Sequence, residues 1–254
     1  MRAHVLLAVL VAGCASKGPP PAATARCVLP AGPTVIKHDD HSVLQRWDVA
    51  ADAVWFSKIL PDDPKYLAYR RAITDAEADL ERPIADDPAA TTDEERENWK
   101  RERANADLVF GGLGHVRPVQ CLDAALFAYQ HARHDQLAQP TELIAMVLRS
   151  QDGTRLRIYF AGSDQMFPPK AFYGLDEAAR DVAAGWRLAV HLHNHTIQER
   201  AGRHALGTPA PSTSDVSLLR GVAADLGLAT VWVTNGFYTG EVPASALDRL
   251  SGRD

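Results

Sequence analysis

His191 and His193, separated by one leucine at the end of the apolar run Leu188 to Leu192, are the residues of this chain best suited to chemistry. On an extended strand, side chains at i and i+2 leave from the same face about 7 Å apart along the backbone, close enough to converge on one ion. Ser212-Thr213-Ser214-Asp215 opens the next amphipathic stretch, and a carboxylate there would be a third ligand. Three protein ligands leave the fourth tetrahedral position to water, which separates a catalytic zinc from a structural one. The pattern therefore predicts a metal hydrolase.

The elements that must hold these residues can be read from periodicity. Leu122 to His134 has helical spacing; Leu143 to Leu148 and Arg155 to Phe160 read as strands. Leu175 to Ala184 is a helix ended by Gly185, Arg187 to His193 a buried strand, Thr213 to Leu226 a helix stopped at Gly227, and Ala229 to Thr234 another buried strand. Asn235-Gly236-Phe237-Tyr238 makes a turn after it, and Trp186 and Trp232 are assigned to the core. Residues 115–254 thus form an α/β domain, a mixed sheet flanked by helices. Gly111-Gly112-Leu113-Gly114 marks the break before it and is no phosphate loop, since no Lys-Ser or Lys-Thr follows.

Residues 27–114 read as a mainly helical segment, with apolar residues from Val43 through Leu80 at mixed three and four spacings. Pro83 and Asp86-Asp87-Pro88 punctuate it, and Thr92-Asp93-Glu94-Glu95 is a capping box opening a further helix. His38-Asp39-Asp40-His41 has ligand-type residues but reads as a polar loop.

The amino terminus predicts export. Residues 1–13 have the charge, apolar run and small residues of a secretory signal, too short to span a bilayer. Val11-Ala12-Gly13-Cys14 resembles a bacterial lipobox, which implies lipid attachment at Cys14. Residues 14–26 are a Pro- and Ala-rich tether. Cys27 and Cys121 are the two remaining cysteines, and in an exported protein a pair of them is expected to form a disulfide. A net charge of -5 with basic residues scattered among acids excludes a nucleic-acid footprint. Membrane association would run through the lipid alone, and the amino-terminal helices are the surface a protein partner would use.

A family resemblance unites the dispersed pieces. Gln139-Pro140-Thr141-Glu142-Leu143-Ile144, then Ala189-Val190-His191-Leu192-His193, then Pro211-Ser212-Thr213-Ser214-Asp215 resemble, in order and placement, the motif of JAB/MPN (JAMM) metallopeptidases. The resemblance implies a cytidine-deaminase-like layering and zinc held by His191, His193 and Asp215. It also implies Glu142 as general acid/base and Ser212 beside the bound water, acting on a peptide, isopeptide or other amide. Asn194 stands where the family has proline, and residues 194–211 are longer than its usual connection. That insertion also holds His195 and His204, candidates for ligand or substrate contact. Met166-Phe167-Pro168-Pro169 and Phe172-Tyr173-Gly174 could line a substrate cleft. Two rival readings remain: a catalytically silent scaffold of the same fold, and a PHP-type phosphoesterase, whose opening motif His191-Leu192-His193-Asn194-His195-Thr196 resembles. The second would need more ligands than the remaining sixty or so residues supply on strand ends.

Overall fold

The computed structural model describes residues 26–76, 81, 92–195, 198–200, 203–205 and 207–252. The signal sequence, Cys14, the tether up to residue 25, Pro83, the Asp86-Asp87-Pro88 turn and the side chain of His204 lie outside the described residues. Among those described, no helix is long and apolar enough to cross a membrane.

Eight strands form one mixed sheet: β1 (Thr34–His38), β2 (Ser42–Ala50), β3 (His115–Pro118), β4 (Leu143–Arg149), β5 (Arg155–Ser163), β6 (Arg187–Asn194), β9 (Thr230–Thr234) and β10 (Tyr238–Pro243). Their spatial order is β1-β2-β5-β4-β6-β9-β10-β3. Every neighbouring pair is antiparallel except β6 with β9, which run parallel. The helix joining β6 to β9 is α5 (Thr213–Leu226), the crossover that a parallel pair requires. A separate hairpin, β7 (Gln198–Arg200) with β8 (Arg203–Ala205), lies in the insertion after β6.

The central strand β4 shows how the layers arise. Leu143, Ala145 and Val147 pack on α3 (Cys121–Arg133) through Leu122, Ala125 and Leu126. Ile144, Met146 and Leu148 pack instead on α4 (Leu175–Ala183) and α5 through Ala178, Val216 and Leu219. Alternate residues face opposite sides of a strand, so a fully apolar run fits only a sheet covered on both faces. Two further helices come from the amino-terminal segment. α1 (Pro64–Ala76) buries Tyr66, Tyr69 and Ile73 against α3, and α2 (Asp93–Leu108) starts at Thr92 with the expected capping box to Glu95.

The expectation of helix from Ser42 onward is corrected by β2. This nine-residue strand pairs with β5 along its whole length, from Ser42 opposite Ser163 to Ala50 opposite Arg155. Val43, Leu44 and Trp47 mimic helical spacing because both faces of β2 are covered: Trp47 and Val49 pack toward α3, Leu44 toward the opposite layer. Periodicity cannot separate a strand buried on both faces from a buried helix. Val54 to Leu60 supplies only a 3-10 turn at Ala53–Phe56. Strands β1, β3 and β10 likewise form where local periodicity predicts none; β1 takes in His38 and pairs with β2, and β10 follows the Asn235 turn and pairs with both β9 and β3. Trp232 is buried, whereas Trp186 is half-buried with the Arg157 guanidinium 4.5 Å from its ring centre.

Cys27 and Cys121 form a disulfide with Cα atoms 5.3 Å apart, tying the amino-terminal segment to the first residue of α3. Closing a span of 94 residues restricts the unfolded chain enough to stabilise the fold by about 4 kcal/mol. The double change Cys27→Ser, Cys121→Ser is therefore expected to lower the urea midpoint and to steepen the slope, since the unbridged unfolded chain exposes more surface. An unaltered midpoint would show that the bridge constrains nothing the unfolded chain would otherwise explore.

Candidate functional site

β6 carries its histidines on one face because Val190 and Leu192 face α3, leaving His191 and His193 toward α4 and α5. The ladder does not stop at the end of the apolar run. Asn194 pairs with Thr234 of β9, and the His195 N–H donates to the Thr234 carbonyl at 2.9 Å. His195 therefore continues the same face, and three imidazoles stand in a row. Ring centres are 5.8 Å apart for His191 and His193, and 5.1 Å for His193 and His195.

Asp215 arrives from the amino-terminal turn of α5. Ser212 is the N-cap: its Oγ accepts the Asp215 N–H at 3.2 Å, while Asp215 Oδ2 accepts the Ser212 N–H at 2.7 Å. This reciprocal pair aims the carboxylate back over the cap, at the positive end of the helix dipole. The connection reaching Ser212 is held close to the sheet by two glycines. A Cβ on Gly207 would lie 2.5 Å from the His195 Cβ, and one on Gly240 would lie 1.9 Å from the Pro209 carbonyl oxygen. Asn235 Nδ2 donates to the Gly207 carbonyl at 3.1 Å and fixes the same approach.

These elements bring together His193, His195 and Asp215. Asp215 Oδ2 lies 3.2 Å from His193 Nε2 and 3.1 Å from His195 Nε2. One ligand atom from each of the three falls within 4.8 Å of the others. Among the described residues no other such group of three converges. His195 Nδ1 is 2.8 Å from the Thr208 carbonyl. A carbonyl only accepts, so Nδ1 carries hydrogen and Nε2 is the atom offered to the site, the arrangement found in metal-binding histidines. Burial opposes charge on His195, but the hydrogen bond to Asp215 and its negative charge, with help from Glu142, raise the pKa to about 9. Burial likewise opposes charge on Asp215, yet His193 and His195 hold its carboxyl well below the usual range.

The fit of these residues to a metal rests on more than proximity. His193 is buried, its Nδ1 has no hydrogen-bond partner among the described residues, and its Nε2 has only the Asp215 oxygen at 3.2 Å, outside good hydrogen-bond geometry. An ion at Nε2 would supply a better-directed partner to a nitrogen shut off from water. Two imidazole nitrogens and one carboxylate oxygen form the borderline donor set that suits zinc.

The other expected residues fall around this trio. Glu142 is half-buried immediately before β4. Burial lifts its pKa to about 7 despite the opposing pull of His195 and His193, with Asp215 adding to the rise. Ser212 sits beside Asp215 with its O–H available as a donor. Tyr173 is half-buried, and burial followed by the charges of Glu142 and Asp215 raises its phenol. Met166 and Phe167 are exposed beside Glu142, whose N–H donates to the Met166 carbonyl at 2.7 Å. His41 pairs with Asp164 on the surface at 3.0 Å, away from any ligand group.

His191, expected as a ligand, is not part of the converging group; His195 holds that place. It lies one step deeper, 2% exposed, beside Met146 and Val231 in the strand register. Burial, then repulsion from His193, pushes its pKa down to about 3, so it stays neutral. The alternation His191, His193, His195 was visible in the sequence, but ending the strand with the apolar run hid its last member. No family model, curated protein or solved structure matches this chain.

Proposed function

We propose that the chain is a zinc-dependent hydrolase of peptide, isopeptide or related amide bonds, with a JAMM-type arrangement whose ligands are His193, His195 and Asp215. The observation that carries this reading is the placement of Glu142, a carboxyl with pKa near 7, in the electrostatic neighbourhood of a His-His-Asp trio in which His193 is buried and His195 and Asp215 half-buried. When bound, zinc supplies Lewis acidity and lowers the pKa of its water toward 7.

The chain's own residues do the rest. Glu142 is balanced between its two protonation states near neutral pH, as a group must be to take a proton from water and return it to a departing amine. The Ser212 hydroxyl accepts the Asp215 N–H and donates its own hydrogen toward the carbonyl oxygen of the substrate, where charge gathers as the amide is attacked. Thr208 and the α5 cap orient His195 and Asp215, so little reorganisation is needed. The disulfide supports function in an oxidising compartment, in keeping with export and lipid anchoring through Cys14.

The test uses quenched fluorescent peptides carrying either an α-linked or a lysine ε-linked amide. Zinc-loaded protein is expected to cleave at least one class, and chelation to stop it. Glu142→Gln should keep one zinc per chain while kcat falls about 10²- to 10⁴-fold. Full activity in that variant, or no zinc in the purified protein, would defeat the proposal.

A further inference from the structure

Asn194 lies between the two proposed histidine ligands in sequence, and its side chain is fully buried. Its Oδ1 accepts the Leu143 N–H at 2.6 Å, and its Nδ2 donates to the Thr141 carbonyl at 3.1 Å. Those two backbone groups flank Glu142. The last backbone pairing of β4 with β6 joins Ile144 to His193, so beyond it a carboxamide continues the ladder in place of backbone.

Two further buried carboxamides complete the grip on the same tripeptide. Gln136 Oε1 accepts the Thr141 N–H at 3.1 Å, and Gln136 Nε2 and Gln130 Nε2 each donate to Thr141 Oγ1 at 2.8 Å. Gln130 Nε2 also donates to the Ser163 carbonyl at 3.0 Å. Glu142 itself is tied through its N–H to Met166. Every backbone N–H from Thr141 to Leu143 is thus hydrogen-bonded outside the regular sheet, and Thr141, Leu143 and the three carboxamides are buried. Such bonds are costly to break because each would leave a buried group unsatisfied.

We propose that Asn194 is a positioning residue that sets the distance between the general base and the metal ligands. Resting on the function proposed above, it joins the two through one residue: its backbone carries His193 and His195 on either side, while its side chain holds the peptide units on either side of Glu142. A base misplaced by even 1 Å loses much of its catalytic effect, and a three-carboxamide cage restricts such movement.

The experiment compares backbone amide exchange by NMR in metal-free protein, then zinc content after loading. In Asn194→Ala, the Leu143 amide is expected to exchange about 10- to 100-fold faster, while Ala145 and Val147 in the same strand keep their protection and one zinc still binds. Asn194→Asp keeps the acceptor for the Leu143 N–H but sets a second acceptor against the Thr141 carbonyl, so Leu143 should be better protected than in Asn194→Ala and less than in the parent. Asn194→Ser takes the place of the alanine variant if that chain does not fold. Where a cleavable peptide has been found, kcat should fall with KM unchanged.

Unchanged exchange at Leu143, an equal rise along the whole of β4, or loss of zinc together with protection would each overturn the proposal. The exchange arm needs no metal and decides the clamp by itself. A parent protein that takes up no zinc overturns the preceding reading instead.

Discussion

Replacing His195 by alanine should strip the protein of zinc, whereas replacing His191 by leucine should not. His195 offers Nε2 within 3.1 Å of Asp215 Oδ2 and is held in that orientation by Thr208. Its removal leaves a single imidazole and a carboxylate, and affinity should fall by more than the roughly 10- to 100-fold that follows loss of an outer-shell partner. His191 has both ring nitrogens unpartnered among the described residues, in an apolar layer. Leucine there removes two unsatisfied polar atoms and should raise stability at neutral pH.

The same substitution has an acid signature. A base held neutral by the fold makes the folded state bind fewer protons than the unfolded chain between its two pKa values, so stability is full above about 6.5 and declines toward about 3. His191→Leu should remove on the order of 5 kcal/mol of that acid loss. Zinc per chain after dialysis, measured by elemental analysis, separates the two histidines. If the His191 variant loses the metal and the His195 variant keeps it, the ligand assignment is reversed.

Zinc affinity should also fall steeply with acidity. In the metal-free protein His195 holds a proton up to a pH of about 9 because Asp215 stands against it. An incoming ion must displace that proton, so affinity should drop about tenfold per pH unit below 9, or about 100-fold between pH 8 and pH 6. Asp215 contributes nothing in this window, since its own proton returns only at far lower pH.

The sign for the metal-free fold follows from the raised pKa. The His195 proton stabilises the folded state fully below about pH 6.5, and that contribution disappears as pH rises through about 9. Metal-free protein should therefore soften over that interval, and zinc should restore it. Chelator competition at three pH values, with calorimetry in buffers of different ionisation enthalpy, reads both affinity and proton release. A flat affinity with no proton released would mean that His195 is not the atom the ion displaces.

Much of the scaffold was legible because it depends on local rules. Gly227 ends α5 with φ 64°, a backbone conformation that costs glycine little, and Ser212 to Asp215 is the capping box its spacing announced. β4 and the middle of β9 are continuous apolar runs that only a sheet covered on both faces can bury. The presence of same-face histidines followed by a helix-opening aspartate was likewise a property of the chain alone.

Which two histidines meet the aspartate was decided in three dimensions. The β6–β9 ladder carries the extended backbone as far as His195, and Gly207 and Gly240 let the returning connection lie close enough for Asp215 to reach the last two rings. Ser42 to Ala50 became a strand because β5 offered it nine partners, a long-range pairing invisible to a local window. Asn194, a departure from the expected motif in sequence, acquires its role only when β4 and β6 lie side by side and its amide meets the peptide groups around Glu142. Side-chain type and alternation are written along the chain; distance between residues 142, 194 and 215 exists only after the sheet has assembled, because hydrogen-bonded register is what converts sequence separation into proximity.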